Sequence, residues 1–200
     1  MTVNVKPSAD PIPAPLVSKK RGRPAQTAKN LSATQIITVA KALLRQQGKI
    51  PSIRALAQAL EIDAMAIYHY FNNKQALLEA LTCSLVDEIY LPDANDNWQF
   101  ELTQLSQSYV AMLARYPGLL EILLGMTTHG PAEIFVERFH TATHALKCSE
   151  AELEPLLHLL VDYLHGYALA IQCSNHSAPT IDGMTAPLQL LFKALSTERK

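Results

Sequence analysis

Residues 52–74, SIRALAQALEIDAMAIYHYFNNK, constrain this chain more than any other stretch. Ile53, Leu56, Ala57 and Leu60 recur at the i, i+3, i+4, i+7 spacing of one buried helical face, while Arg54 and Gln58 point away from it. Ser52 suits the cap of that helix. Glu61, Ile62 and Asp63 read as a short turn with one apolar plug. Asp63 suits the cap of a second helix, Ala64 to Phe71, with Ile67 and Phe71 inward and Ala64, Met65, Tyr68 and His69 outward. Tyr70 and Phe71 read as core aromatics. Two short helices on a tight turn are a helix-turn-helix, an arrangement that lays one helix in the major groove of DNA.

The run AIYHYFNNKQALLEAL, residues 66–81, resembles the recognition helix and following linker of the tetracycline-repressor (TetR) family of bacterial transcription regulators. In that family an apolar residue, Tyr, a variable residue, an aromatic or His, an apolar residue and a downstream Lys recur in this order. The resemblance implies that Tyr68 hydrogen-bonds one phosphate, that Lys74 holds another and that Arg54 reaches a base edge. Met65, Ala66 and His69 fall at the family's variable base contacts, and Ser52 joins the DNA-contacting set. The later chain resembles the family's regulatory core more loosely. It does so through Asn97-Trp98, Arg115-Tyr116-Pro117, Leu124-Gly125, a helix opened by Gly130-Pro131, and Leu164-His165-Gly166-Tyr167-Ala168-Leu169. This implies an effector pocket among the middle helices and a four-helix bundle built by the last long helices of two subunits. Two positions depart from the tetracycline-binding members: Leu123 stands where a magnesium-ligating histidine precedes the Leu-Gly pair, and Tyr90 aligns roughly with a drug-contacting histidine. Both departures argue against tetracycline-magnesium as the effector.

Charge divides in the same way as the motifs. Residues 1–80 hold eleven Lys or Arg against four Asp or Glu, and residues 81–200 hold six against fourteen. A net charge of −1 therefore conceals a basic head suited to a polyanion and an acidic remainder that faces away from it. The first 30 residues, rich in Pro, Ala, Lys and Arg, read as a disordered arm. Their Arg21-Gly22-Arg23-Pro24 resembles an AT-hook, in which Arg21 and Arg23 flank an extended backbone in a narrow A·T minor groove. A solvated basic tail that adds only salt-sensitive affinity is the alternative.

Periodicity predicts a support helix from Ser32 to Gln47, ended by Gly48. A fourth helix runs from Lys74 to about Tyr90 and is the one continuous element between the DNA-reading unit and the rest. Further helices are expected over Trp98–Arg115, from Pro117 to about Met126, Ala132–Lys147, from Glu150 to about Cys173, and from about Ala186 to Thr197. No alternating strand pattern occurs. The expected architecture is all-α, with an arm over 1–30, a three-helix helix-turn-helix DNA-binding domain over 31–76, and a helical effector-binding and dimerisation domain over 77–200.

The Glu150–Cys173 stretch is apolar on so much of its circumference that it needs cover on two sides, which points to a homodimer. Leu156, Leu160, Leu164, Ala168 and Ile171, with Leu191 and Leu195 of the last helix, are the expected interface. A fully internal helix in a monomer is the alternative. Tyr90, Tyr109, Met112, Tyr116, Leu123, Met126, Phe135, Phe139, Tyr163 and Tyr167 are the expected pocket, apolar with phenolic hydroxyls for orientation. His140 and His144 have a spacing that can bind a metal, but nothing completes a site, so no metal or cofactor is expected. The chain carries no phosphate loop, nucleophile elbow, His-Glu-x-x-His or paired-Cys motif, which argues against catalysis. Cys83, Cys148 and Cys173 read as buried small residues of a reduced cytoplasmic protein, and neither a signal peptide nor a membrane span is expected.

A ligand-responsive, DNA-binding regulator follows, a repressor on a palindromic operator released by a small molecule. Two readings remain beside it: a nonspecific architectural protein of A·T-rich DNA, and a small-molecule sequestering protein with a vestigial head.

Overall fold

The computed structural model describes residues 31–174 and 179–197; the basic arm, with Arg21 and Arg23, lies outside the described residues. Every regular element among them is helical. No helix there is long and apolar enough to cross a membrane.

Local chemistry sets the first four helices. α1, Ala33–Gln47, starts where Ser32 Oγ accepts from the Gln35 N–H at 3.1 Å and stops at Gly48, whose φ of 62° suits glycine. α2, Ile53–Ala59, opens on Ser52, and α3, Ala64–Tyr68, opens on Asp63. α4, Lys74–Val86, opens on Asn73, whose Oδ1 accepts from the Ala76 N–H at 2.8 Å. Ile36, Leu44, Leu56, Ile67 and Leu77 close the core between them. Phe71 is buried as expected, but Tyr70 is exposed and donates its hydroxyl to the Leu31 carbonyl at 2.6 Å.

The remaining helices are α5, Trp98–Arg115; α6, Leu119–Leu124; α7, Gly130–Ala142; α8, Glu150–Cys173; and α9, Thr185–Thr197. Several ends differ from the periodicity: α3 closes at Tyr68 rather than Phe71, and α7 opens at Gly130 rather than Ala132. α4 stops at Val86 rather than near Tyr90, because the Arg138 guanidinium takes the carbonyls of Val86, Asp87 and Ile89. α6 cannot begin at Pro117, because Gly118 adopts a φ of 82°. At its other end α6 closes at Leu124, two residues short of Met126. α7 ends at Ala142 rather than Lys147. Buried Thr143 bonds back to the Phe139 carbonyl at 2.7 Å, and a 3-10 turn, His144–Leu146, follows. His140 and His144 therefore do not share one helix face.

α8 packs along α5 and settles which of its sides is inner. Leu156, Leu160, Leu164 and Ala168 are buried within the protomer. These four cannot form the interface assigned to them, because the protomer's own core already covers them. The outward face carries Leu159, Gly166, Leu169 and Ala170 instead, and Ile171, Leu191 and Leu195 are half-buried. The cysteines are not core residues either: Cys83 and Cys148 are half-buried and Cys173 is exposed.

Candidate functional site

Two regions carry functional geometry. The first is the exposed edge of the head. Arg54, Met65, Tyr68, His69 and Lys74 are all exposed, Met65 to 66% and Tyr68 to 39%. Ser52 is exposed but its hydroxyl caps α2, and Ala66 is half-buried. Ile67, between these outward side chains, is fully buried and fixes the rotation of α3.

The second region is a cavity of about 480 Å³ among α4, α5, α6, α7 and α8. Of the expected pocket residues, Tyr109, Leu123, Met126 and Phe135 line it. The other six do not. Met112 lies further along α5 and Tyr116 just past its end, both in the packed core, and Phe139 is fully buried one turn beyond Phe135. The Tyr90 hydroxyl turns to the Glu101 carboxylate at 2.9 Å. Tyr163 and Tyr167 sit on another side of α8, with rings 5.7 Å apart. The Tyr167 hydroxyl donates to the Thr180 carbonyl at 2.7 Å.

Sequence reasoning missed the polar part of the cavity. His158, Asp162 and His165 line it from α8, and Thr128 from the loop before α7. The signal was present: 158, 162 and 165 stand at i, i+4, i+7, a polar stripe through the leucine-rich middle of α8. The Tyr109 hydroxyl and His165 Nε2 are 2.9 Å apart, and the Tyr109 ring lies 4.8 Å from that of Phe135. Burial pushes the Tyr109 phenol well up. Burial also lowers the His165 imidazole, with Asp162 partly opposing. Both groups are therefore neutral near pH 7 and share a neutral hydrogen bond. The Thr128 hydroxyl oxygen is buried and has no hydrogen-bond partner among the described residues.

The cavity wall and the head meet on α4. Val86, the last residue of α4, lines the cavity, and Arg138, one turn beyond Phe135 on α7, grips the end of the same helix. Its Nη1 donates to Val86 at 3.0 Å and Ile89 at 2.8 Å, and its Nη2 meets the Asp87 carboxylate at 2.8 Å. Thr82 Oγ1 lies 3.4 Å from Met126 Sδ, another cavity residue. On the head side, Lys41 of α1 donates to the Ser84 carbonyl at 3.0 Å and pairs with Glu88. α6 reaches the head directly: a Cβ on Gly118 would stand 2.9 Å from the Gly48 carbonyl oxygen at the end of α1.

Residues 36–81 match the family described as bacterial regulatory proteins, tetR family, and residues 91–192 match the tetracyclin repressor-like C-terminal domain. The chain belongs to the TetR family. Over 100 residues it is 33% identical to the class D tetracycline repressor protein of Escherichia coli, a match that spans 48% of this chain and 45% of that one. The chain thus spans less than half the length of the curated repressors it matches. Among solved structures, a TetR variant of Acinetobacter baumannii in complex with minocycline is 26% identical. Its TM-score is 0.64, over 83% of this chain and 94% of that one. BioQ with its double-stranded DNA operator has the same fold, with a TM-score of 0.67 at 21% identity over 84% and 99% of the two chains.

Proposed function

We propose that this TetR-family chain is a ligand-responsive transcriptional regulator, a repressor that binds a palindromic operator as a homodimer and releases it on binding a small molecule. Residues 31–76 form the DNA-binding head and 77–200 the effector and dimerisation unit. The observation that carries this reading is the placement in series of an exposed recognition face, α4, and a cavity whose wall grips the end of α4. BioQ held on its operator and the Acinetobacter protein held with minocycline support the two halves of the assignment.

In this scheme Tyr68 and Lys74 hold phosphates, Arg54 reads a base, and Met65, Ala66 and His69 set sequence preference. Arg21 and Arg23 add minor-groove contacts from the arm. The outward face of α8, with Leu159 and Leu169, and Leu190 of α9 meet their copies across a two-fold axis. Gly166 and Ala170 allow the helices to approach closely. A ligand seated against Phe135 and Met126 re-seats α6 and α7. Arg138 and Thr82 pass the movement to α4, which shifts the recognition helix. Moving such an equilibrium from 1:99 to 99:1 requires a preference of about 5.5 kcal/mol for the released state.

The test is an anisotropy titration on DNA from directly upstream of the chain's own gene, with competitor DNA present. Two protomers per site and roughly a thousand-fold or greater preference over competitor are expected. Arg54→Ala should relax preference at one base pair, while Tyr68→Phe should weaken every site alike. Equal affinity for all sequences in the wild-type protein would remove the regulator reading.

A further inference from the structure

The cavity lining is mostly apolar and lacks lysine and arginine side chains. Ten of its fifteen lining residues are aliphatic side chains, Met126, Pro131 or Phe135, and no Lys or Arg is among them. Arg138, on the same helix as Phe135, is turned away and spent on the end of α4. The one carboxylate is Asp162, exposed at the rim. The polar groups are hydroxyls and imidazoles: the neutral Tyr109–His165 pair, Thr128 Oγ1 with no partner among the described residues, and His158, exposed beside Asp162. An anion entering this space would lose its hydration, meet no lysine or arginine and face Asp162. A molecule without negative charge would lose little water and gain apolar cover. A single hydroxyl, carbonyl or amine on it could satisfy Thr128 or the free positions of the Tyr109–His165 pair.

We infer that the effector of this protein is a lipophilic, ring-sized molecule without negative charge, carrying a hydrogen-bonding group at one end, and that carboxylates, phosphates and their thioester conjugates are excluded. The inference rests on the reading of this cavity as the effector site. Its terms are Phe135 and Tyr109 as ring partners, Thr128 as the hydrogen-bonding anchor and Asp162 as the filter.

Two fluorescent dyes of similar size separate the possibilities: neutral Nile red and anionic 1-anilinonaphthalene-8-sulfonate, each titrated into the full-length protein. Nile red should saturate at one per protomer, at least ten-fold tighter than the sulfonate. Val161→Trp, which fills the cavity from α8, should abolish that binding. Asp162→Asn, at an exposed position, should narrow the preference at least three-fold without disturbing the fold. Sulfonate binding as tight as that of Nile red, lost in Val161→Trp, would overturn the charge rule and leave the effector site standing. Binding of either dye that is indifferent to both substitutions, or no binding at all, would overturn the cavity as a ligand site and the inference with it.

Discussion

In the head, each helix is opened by a side chain from its own first turn: Ser32 for α1, Ser52 for α2, Asp63 for α3, and Asn73 where α4 leaves it. In the body, α5, α6 and α7 begin with no side-chain cap at all. Their connections are fixed by groups from elsewhere in the chain. Glu101, buried in α5, accepts from Tyr90, the Asp93 N–H and Asn95, and so ties down the loop that follows α4. Arg138 does the same for the end of α4 from 51 residues away. A head assembled from local contacts moves as one piece. A body held by distant contacts can be re-seated at one joint while the others hold.

That contrast can be broken most forcefully in the body core. Phe139→Ala, at a fully buried side chain, should cost about 3–5 kcal/mol in urea unfolding. If it costs less than about 1 kcal/mol, the body is not packed as one unit. Arg138→Met comes next, because it leaves the carbonyls of Val86, Asp87 and Ile89 without their donor. A loss of about 2–3 kcal/mol is expected. Operator affinity should survive while its response to the effector fades. Retention of the full response would remove Arg138 from the path. Asp63→Ala should cost about 1 kcal/mol, read as faster amide exchange confined to α2 and α3. Exchange that quickens equally throughout the body would contradict a head that is locally built.

The smallest effect concerns acid. Burial pushes the Glu101 carboxyl up, but its bonds from Asn95, Asp93 and Tyr90 outweigh this and hold it below the ordinary glutamate value. The unfolded chain therefore takes up that proton first. The stabilisation is complete above the ordinary value of about 4.3 and is lost as pH falls through the depressed one. The urea midpoint of the wild type should exceed that of Glu101→Gln at pH 6, with the gap closing below about pH 4.3. A gap that stays constant to pH 3 would mean the carboxylate charge contributes nothing.

The same contrast explains what could be read from sequence. Caps and turns are written within four residues of where they act, so the starts of α1 to α3 and the end of α1 followed from Ser32, Gly48, Ser52 and Asp63, whereas α3 closes three residues before Phe71. Glu101 and Arg138 were not singled out, although each occupies a buried stripe, beside Trp98, Leu102 and Leu105 in one case and Phe135, Phe139 and Ala142 in the other. A charged residue at such a position announces a buried partner without saying which. The inner side of α8 was not legible for the opposite reason. Leucines surround it, so Leu156 and Leu159 look alike until α5 covers one of them. The cavity suffered similarly, because an aromatic that fills a core and one that lines a hole have the same composition and period.

If the head binds an operator as proposed, the length of α4 sets how far a small movement carries it. Its 13 residues make a rod of about 20 Å, clamped by Arg138 at one end and continuous with the recognition unit at the other. If the clamp is the fulcrum, a tilt of about 10° carries the far end through about 3.5 Å, close to the rise of one base pair, about 3.4 Å. A rearrangement at the fulcrum too small to disturb the core is thus enough to place a reading head one step out of phase with its half-site.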